Sequence, residues 1–286
     1  MMLKELFFKK FVITAEIGPP KGWQVESLIQ EAKKYLVEKI DAINVTDNQA
    51  SVMKFGSLGM SILLKQNGFE PIYQITCRDR NRIALQSDIL NAAAFGIENL
   101  LLLTGDHPIL GDHKNAKPVF DLDSVSLIYT VKQLMQGYDL SGNKLLGEPP
   151  KFYIGAVVNP ETENLDLQIF KMEKKINAGA EFFQTQLVFN PEKFIKFINI
   201  VRKNFGKIPI MPGITILKSA NMAKFMNENI PGINIPENII KQLEEDKEKT
   251  KSGQKGLEIA AKIIKDIKPY CEGIHIMPLG WINKIP

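Results

Sequence analysis

The sequence has 286 residues, which allows one large domain or two small ones. Hydrophobic residues make up 44% and charged residues 24%, a balance typical of folded chains and too apolar for a disordered one. The net charge of +4, from 36 basic and 32 acidic residues, is too small to predict a nucleic-acid partner. Two cysteines, Cys77 and Cys271, exclude a disulfide framework and a four-cysteine zinc site, and no metal is predicted.

Neither a membrane span nor a signal peptide is predicted. No apolar run approaches the ~20 residues that cross a bilayer. The first twelve residues, MMLKELFFKKFV, lack a clean apolar core followed by a small-residue cleavage site. We therefore expect a cytoplasmic protein.

Short apolar runs alternate with segments of helical periodicity along the whole chain. The runs are apolar on both faces, as parallel strands covered by helices are. Eight strands are predicted, at 11–17, 42–47, 71–77, 100–106, 152–158, 181–189, 208–214 and 272–277. Helices are predicted near 24–39, 52–67, 79–95, 122–136, 165–178, 191–205, 217–229, 236–248 and 254–268.

Eight β/α units in this length predict a closed (β/α)8 TIM barrel, with residues 1–286 as a single domain. The structural alternative is an open, doubly wound sheet, which usually carries a phosphate loop after its first strand. The segment in that place, GPPKGW at 18–23, has no G-x-G-x-x-G pattern. The Gly- and Pro-rich stretch 137–151 is interpreted as a loop rather than a domain boundary.

The chain after the last predicted strand, PLGWINKIP, is too short for an eighth barrel helix. Without that helix, the apolar outer faces of the first and eighth strands need another cover. An exposed apolar patch of this kind usually marks an interface. The alternative is that segment 2–10 or the additional helix near 236–248 covers the gap.

Polar residues occur on the inward parity of several strands, near the carboxyl ends where such barrels place their active sites. Glu16 is the most informative, because an inward carboxylate is costly unless it is hydrogen-bonded or protonated, and it fits a general acid. Asp106 follows the fourth strand, where a helix cap is the alternative interpretation. The neutral groups favour a polar, mostly uncharged heterocycle over a phosphate-rich ligand. They are Thr14, Asn44, Thr46, Gln74, Thr76, Gln184, Gln186 and His275.

Seven segments, in order and over essentially the whole chain, resemble the methylenetetrahydrofolate reductase family. The resemblance implies a flavin-dependent oxidoreductase that reduces 5,10-methylenetetrahydrofolate to 5-methyltetrahydrofolate, with FAD as the cofactor and FMN as the alternative. It places the chain in one-carbon metabolism, in methionine supply or the reductive acetyl-CoA pathway. The segments are ITAEIGPP (13–20), INVTD (43–47), QITCRDRNR (74–82), LLLTGD (101–106), VVNPE (157–161), KINAGAEFFQTQ (175–186) and MPGI (211–214).

The resemblance also implies residue roles. Glu16 would be the general acid that assists protonation of folate N10, and Asp106 would stabilise the cation that develops near the flavin. Gln186 would contact the folate. Lys175 would bind a cofactor phosphate. The implied cofactor-binding positions are Thr46, Gln74, Thr104, Gly105, Asp106, Asn159 and Lys175.

Several positions depart from the common pattern of the family. Gln74 and Asn159 stand where relatives often have histidine, and Ala220 stands where an aromatic residue commonly stacks on folate and NADH. These departures resemble the reductases of acetogens, which work beside a partner subunit. The implied electron donor is therefore NAD(P)H or a partner electron-transfer subunit, in a homo-oligomer or a hetero-complex. The alternative function is a non-redox, pterin-binding (β/α)8 protein of the methyltransferase type, which needs no flavin.

Overall fold

The computed structural model describes residues 3–230 and 232–286. Its eight strands pair in sequence order, each parallel to its neighbours, and β8 closes the barrel against β1. This confirms the predicted (β/α)8 fold. The strands are β1 Val12–Ile17, β2 Ala42–Val45, β3 Pro71–Thr76, β4 Asn99–Leu103, β5 Tyr153–Val158, β6 Phe182–Leu187, β7 Ile210–Thr215 and β8 Gly273–Met277.

A helix is present in every segment where the periodicity predicts one. The predicted helix near 236–248 is two helices, because Asp246 ends the first and its side chain caps the second. None of the helices over the described ranges is long and apolar enough to cross a membrane. The helices are α1 Glu26–Leu36, α2 Ser57–Gln66, α3 Arg82–Ala94, α4 Ser124–Met135, α5 Leu165–Ala178, α6 Pro191–Phe205, α7 Ala220–Asn229, α8 Glu237–Glu245, α9 Lys247–Lys251 and α10 Gln254–Ile267.

The N-terminal segment seals the amino-terminal end of the barrel. Leu3 and Phe7 are buried, and they pack against inward side chains that include Tyr153 and Phe182. The backbone N–H of Leu3 donates a hydrogen bond of 2.9 Å to Asn99 Oδ1. The expectation that segment 2–10 covers the gap beside β8 is therefore wrong for the described residues 3–10; residue 2 lies outside them.

In the described residues 278–286, the chain after β8 forms a short 3-10 turn at Ile282–Lys284. Ile282 is buried in a cluster with Ala15 of β1 and with residues of α1. The additional helix α8 packs instead on α7 and α10, so it does not cover the gap either. Ala15 and Ile274 are buried, whereas Ile13 and Ile276 stay partly exposed.

Candidate active site

The interior of the barrel carries a layer of interlocked polar side chains. Asn44 on β2 and Gln184 on β6 exchange two hydrogen bonds across the barrel, of 2.7 and 3.0 Å. Thr14 Oγ1 lies 3.0 Å from His275 Nδ1, a contact between the neighbouring strands β1 and β8. All four residues are buried, as the strand alternation predicts. This layer forms the floor beneath the carboxyl ends of the strands.

Glu16 lies above that floor, near the end of β1, with 8% of its surface exposed. Its Oε1 accepts a hydrogen bond of 3.1 Å from Gln49 Nε2. Its Oε2 lies 3.6 Å from His275 Nε2. A carboxyl group held between an amide donor and an imidazole can keep or release a proton at a fixed place, as a general acid must.

Asp106 follows β4 at the mouth of the barrel, and its side chain is exposed. Its backbone carbonyl accepts a hydrogen bond of 2.8 Å from Ser51 Oγ. Asp106 caps neither of the two helices that follow it. His107 caps the short 3-10 helix Pro108–Leu110, and Asp123 caps α4. The helix-cap interpretation of Asp106 is therefore wrong.

Gly105 allows the ends of β3 and β4 to approach each other closely. Its φ is +90°, in the left-handed region that favours glycine. A methyl group there would lie 3.0 Å from Thr76 Cβ and 3.3 Å from Arg78 Cβ. Gly105 therefore acts through its backbone, which sets the position of Asp106.

A charged network that the sequence did not predict supports this side of the mouth. Asp47 Oδ2 accepts bonds of 2.8 Å from both the N–H and the hydroxyl of Thr76, and it pairs with Arg80. Arg78 is buried and forms two hydrogen bonds with the carboxylate of Asp79. Buried charges persist only when they are paired in this way. The alternating Arg-Asp-Arg pattern directly after a buried strand is the signal that could have revealed it.

Two of the predicted cofactor-binding residues have polar groups that can still form hydrogen bonds with a ligand. Thr46 Oγ1 is buried with no hydrogen-bond partner among the described residues. Lys175 Nζ donates to the carbonyl of Val157 at 2.7 Å. Burial lowers the pKa of Lys175 to about 8, helped by the positive charge of Lys171. Because buried polar groups are normally satisfied, both groups are suited to accept or hold ligand atoms.

Other predicted residues already have protein partners. Thr104 Oγ1 accepts from the N–H of Ser124, and Asn159 bridges the backbone of Glu161 and Gly232. Gln186 Oε1 accepts from the N–H of Leu187 at a register irregularity between β6 and β7. Gln74 is buried on β3. The structure therefore lines the inner wall with Glu16, Thr46 and Gln74, and it places Asp106, Asn159 and Gln186 at strand ends.

A parallel eight-stranded barrel with a buried carboxyl group and neutral amides at its carboxyl end has the build of a (β/α)8-barrel enzyme. The chain belongs to the methylenetetrahydrofolate reductase family, whose model matches residues 2–284. This confirms the predicted family and enzyme class.

Individual relatives agree with the family match. The chain is 28% identical to the 5,10-methylenetetrahydrofolate reductase of Buchnera aphidicola subsp. Schizaphis graminum, over 96% of this chain and 88% of that protein. It is 26% identical to methylenetetrahydrofolate reductase 2 of Schizosaccharomyces pombe, over 78% of this chain but only 36% of that protein. The chain thus spans about a third of the longer yeast relative.

A solved structure shares the fold. It is an uncharacterized protein from Clostridium thermocellum that binds two copies of 5-methyl-5,6,7,8-tetrahydrofolic acid. The TM-score is 0.65 at 20% identity, and the match covers 97% of this chain and 92% of that one. At this identity the likeness concerns the fold alone.

Proposed function

We propose that the chain is a flavin-dependent reductase that converts 5,10-methylenetetrahydrofolate to 5-methyltetrahydrofolate, with residues 1–286 as one catalytic domain. The observation that carries the proposal is Glu16, a buried carboxyl group held by Gln49 and facing His275 in a barrel of this family. The folate ligand of the Clostridium protein is the product of the proposed reaction, which adds support.

The proposed reaction breaks the bond between the methylene carbon and N10 of the folate. Hydride is added to that carbon and a proton to N10, so two electrons and two protons are consumed in all. Glu16 supplies the proton at N10, where the leaving nitrogen gains its electron pair. The carboxylate of Asp106, which no helix needs as a cap, stabilises the cationic form of the ring-opened folate. Gln186 binds the folate.

A flavin supplies the hydride when it is bound, and the residues of the mouth fit such a group. The unpartnered hydroxyl of Thr46 would hydrogen-bond the cofactor, and the Lys175 ammonium would pair with a phosphate. Thr104 and Asn159 shape the pocket through the backbone segments that they hold. Gln74 lies on the same inner wall. FAD is the cofactor we propose, and FMN is the alternative.

The proposed electron donor is NAD(P)H or a partner electron-transfer subunit. Ala220, at the start of α7, offers no aromatic surface on which a nicotinamide could stack. Phe11, Ile13 and Ile276 are apolar and partly exposed on or next to the neighbouring strands β1 and β8, which favours an oligomer or a complex. Sedimentation of the purified chain tests this, and a stable monomer with fast NADH-driven flavin reduction would contradict it.

The absorbance spectrum of the purified protein, with mass identification of the released cofactor, tests the proposed function first. Stopped-flow mixing of the dithionite-reduced enzyme with 5,10-methylenetetrahydrofolate should then reoxidise the flavin and yield 5-methyltetrahydrofolate. A colourless protein that binds folate without reducing it would instead favour the non-redox methyltransferase type.

A further inference from the structure

A backbone turn with unusual geometry follows β2 at the mouth of the barrel. Three of its residues, Asn48, Ala50 and Ser51, have positive φ angles of 45°, 56° and 58°, although none is glycine. We call residues 48–51 the left-handed turn. Strained backbone of this kind persists only where its surroundings impose it, and it clusters at functional sites.

Two side chains of the left-handed turn contact the candidate catalytic residues, one at the carboxyl group of Glu16 and one at the backbone of Asp106. Gln49 Nε2 donates to Glu16 Oε1 at 3.1 Å. Ser51 Oγ donates to the backbone carbonyls of Asp106 and His107, at 2.8 and 3.2 Å. One short segment after β2 is therefore bonded both to the Glu16 carboxyl group and to the backbone at Asp106.

The surroundings prevent the left-handed turn from relaxing. Arg78 Nη1 donates to Ser51 Oγ at 3.2 Å, and the N–H of Lys54 donates to Asn48 Oδ1 at 2.9 Å. Gly111 packs so closely that any β-carbon there would collide with the carbonyl of Ser51. The turn is thus held by Arg78, just after β3, and by the loop after β4, so the backbone that carries Gln49 is fixed in place.

We propose that Gln49 is a positioning residue for Glu16, an inference that rests on the proposed function. An amide N–H donates, and the carbonyl oxygen of a protonated carboxyl group accepts more strongly than its hydroxyl oxygen. The hydrogen bond from Gln49 to Oε1 therefore favours the form of Glu16 in which the proton lies on Oε2, beside His275 Nε2. Without Gln49 the carboxyl group can turn about its broad terminal torsion, and the proton is shared between two oxygens.

Gln49 itself is exposed, whereas Glu16 is buried. A space-filling role in the core is thus excluded for Gln49, and its replacement leaves the packing of the barrel intact. Its amide reaches inward from the rim to a single described hydrogen-bond partner. Among the described side chains of the left-handed turn, Gln49 is the one that donates to Glu16.

Two substitutions of Gln49 distinguish the loss of the hydrogen bond that it donates from a change in the shape of its side chain. Gln49→Leu keeps the bulk and loses the donor, and Gln49→Glu keeps the shape and replaces the donor with a carboxylate. We expect folate reduction by the dithionite-reduced enzyme to fall about tenfold to a hundredfold in both variants, with folate affinity changed less than threefold. A near-normal rate in Gln49→Glu, with a slow Gln49→Leu, would show a role in shape and overturn the proposal. Normal rates in both variants would also overturn it.

The matched control is Gln30→Leu. Gln30 is also exposed, and its amide donates to a carboxylate, Glu26 Oε1, on α1 away from the mouth. Gln30→Leu removes the same kind of amide-to-carboxylate hydrogen bond, and it should leave the rate of folate reduction within twofold of that of the unaltered protein. A comparable loss in Gln30→Leu would assign the effect to the substitution itself and contradict the positioning role.

Infrared difference spectroscopy gives a readout that does not depend on turnover. The carboxyl band of Glu16 is identified as the band lost in Glu16→Gln, and Gln49→Leu should shift that band while Gln30→Leu should not. A shifted band in a protein that reduces no folate would refute the proposed function but leave the positioning role standing. An unshifted band in an active enzyme would refute the positioning role alone.

Discussion

Asn44 and Gln184 form a reciprocal amide pair across the centre of the barrel, with Asn44 Nδ2 2.7 Å from Gln184 Oε1 and Gln184 Nε2 3.0 Å from Asn44 Oδ1. Each amide satisfies both a donor and an acceptor of the other. The pair joins β2 to β6, which are not neighbours in the sheet. It thereby fixes the floor on which the candidate site is built.

The pair gives a prediction about stability. Asn44→Leu leaves the buried Gln184 amide without its main partner, so we expect the free energy of unfolding to fall by about 1–3 kcal/mol. The double variant Asn44→Leu/Gln184→Leu should lose less than the sum of the two single variants, because it leaves no unpaired amide. Urea denaturation of all four proteins measures this, and strictly additive losses would show that the pair is not coupled.

Glu16→Gln should keep the fold and the cofactor but lose folate reduction. The amide is nearly isosteric with the carboxyl group but has no acidic proton to give. A well-placed general acid contributes roughly 10²–10⁴ in rate, and we expect a loss in that range. Stopped-flow reoxidation of the reduced enzyme by 5,10-methylenetetrahydrofolate measures it. A rate within tenfold of the unaltered enzyme would remove Glu16 from the role of acid.

Asp106→Asn should raise the reduction potential of the bound flavin and slow folate turnover. The lost carboxylate disfavours the electron-rich reduced cofactor and stabilises the cationic folate, so both effects follow from one charge. We expect a rise of roughly 30 mV, about 1.4 kcal/mol for a two-electron couple. Equilibration with a redox dye measures the potential. Asp121→Asn, at an exposed pair with Arg82, is the control that should leave the potential unchanged.

Lys175 should make stability depend on pH in the alkaline range. Its pKa is about 8 in the folded protein and 10.5 ordinarily, so the unfolded chain binds the extra proton between these values. The free energy of unfolding contributed by this group therefore rises with pH from about 8 to 10.5. Lys175→Met should remove that rise. Urea denaturation of both proteins across this range checks the sign, and parallel curves would contradict it.

Ile282 should matter to stability although it lies close to the end of the chain. It is buried against Ala15 and α1. Removing its buried side chain in Ile282→Ala should cost about 2–5 kcal/mol. Thermal and urea unfolding measure the loss. Lys284→Ala, in the same 3-10 turn but outside that cluster, should change the stability by less than about 0.5 kcal/mol.

The barrel could be predicted from the sequence because its strands are short apolar runs and its helices have clear periodicity. Strand alternation alone was enough to place Thr14, Glu16, Asn44 and His275 inside, and all four are buried. How the two terminal segments pack on the barrel could not be predicted. The packing of Leu3 near the start of the chain and of Ile282 near residue 286 depends on contacts with residues that are remote in sequence.

The residues that hold the candidate site residues in place could not be predicted from the sequence either. Gln49 and Ser51 lie in a turn whose left-handed geometry has no glycine to mark it. Their partners, Glu16 and Asp106, are 33 and 55 residues away. Arg78 and Arg80 stood in a segment that resembled the family, but only the fold shows that they pair with Asp79 and Asp47 behind the mouth.

The seal formed by Leu3 and Phe7 has a consequence for the order of events during turnover. With the amino-terminal end of the barrel filled by packed side chains over the described residues, a molecule that reaches Glu16 enters and leaves through the carboxyl-terminal mouth. A folate that binds at Glu16 would therefore enter by the same opening through which its product leaves, so the product must dissociate before the next folate can bind.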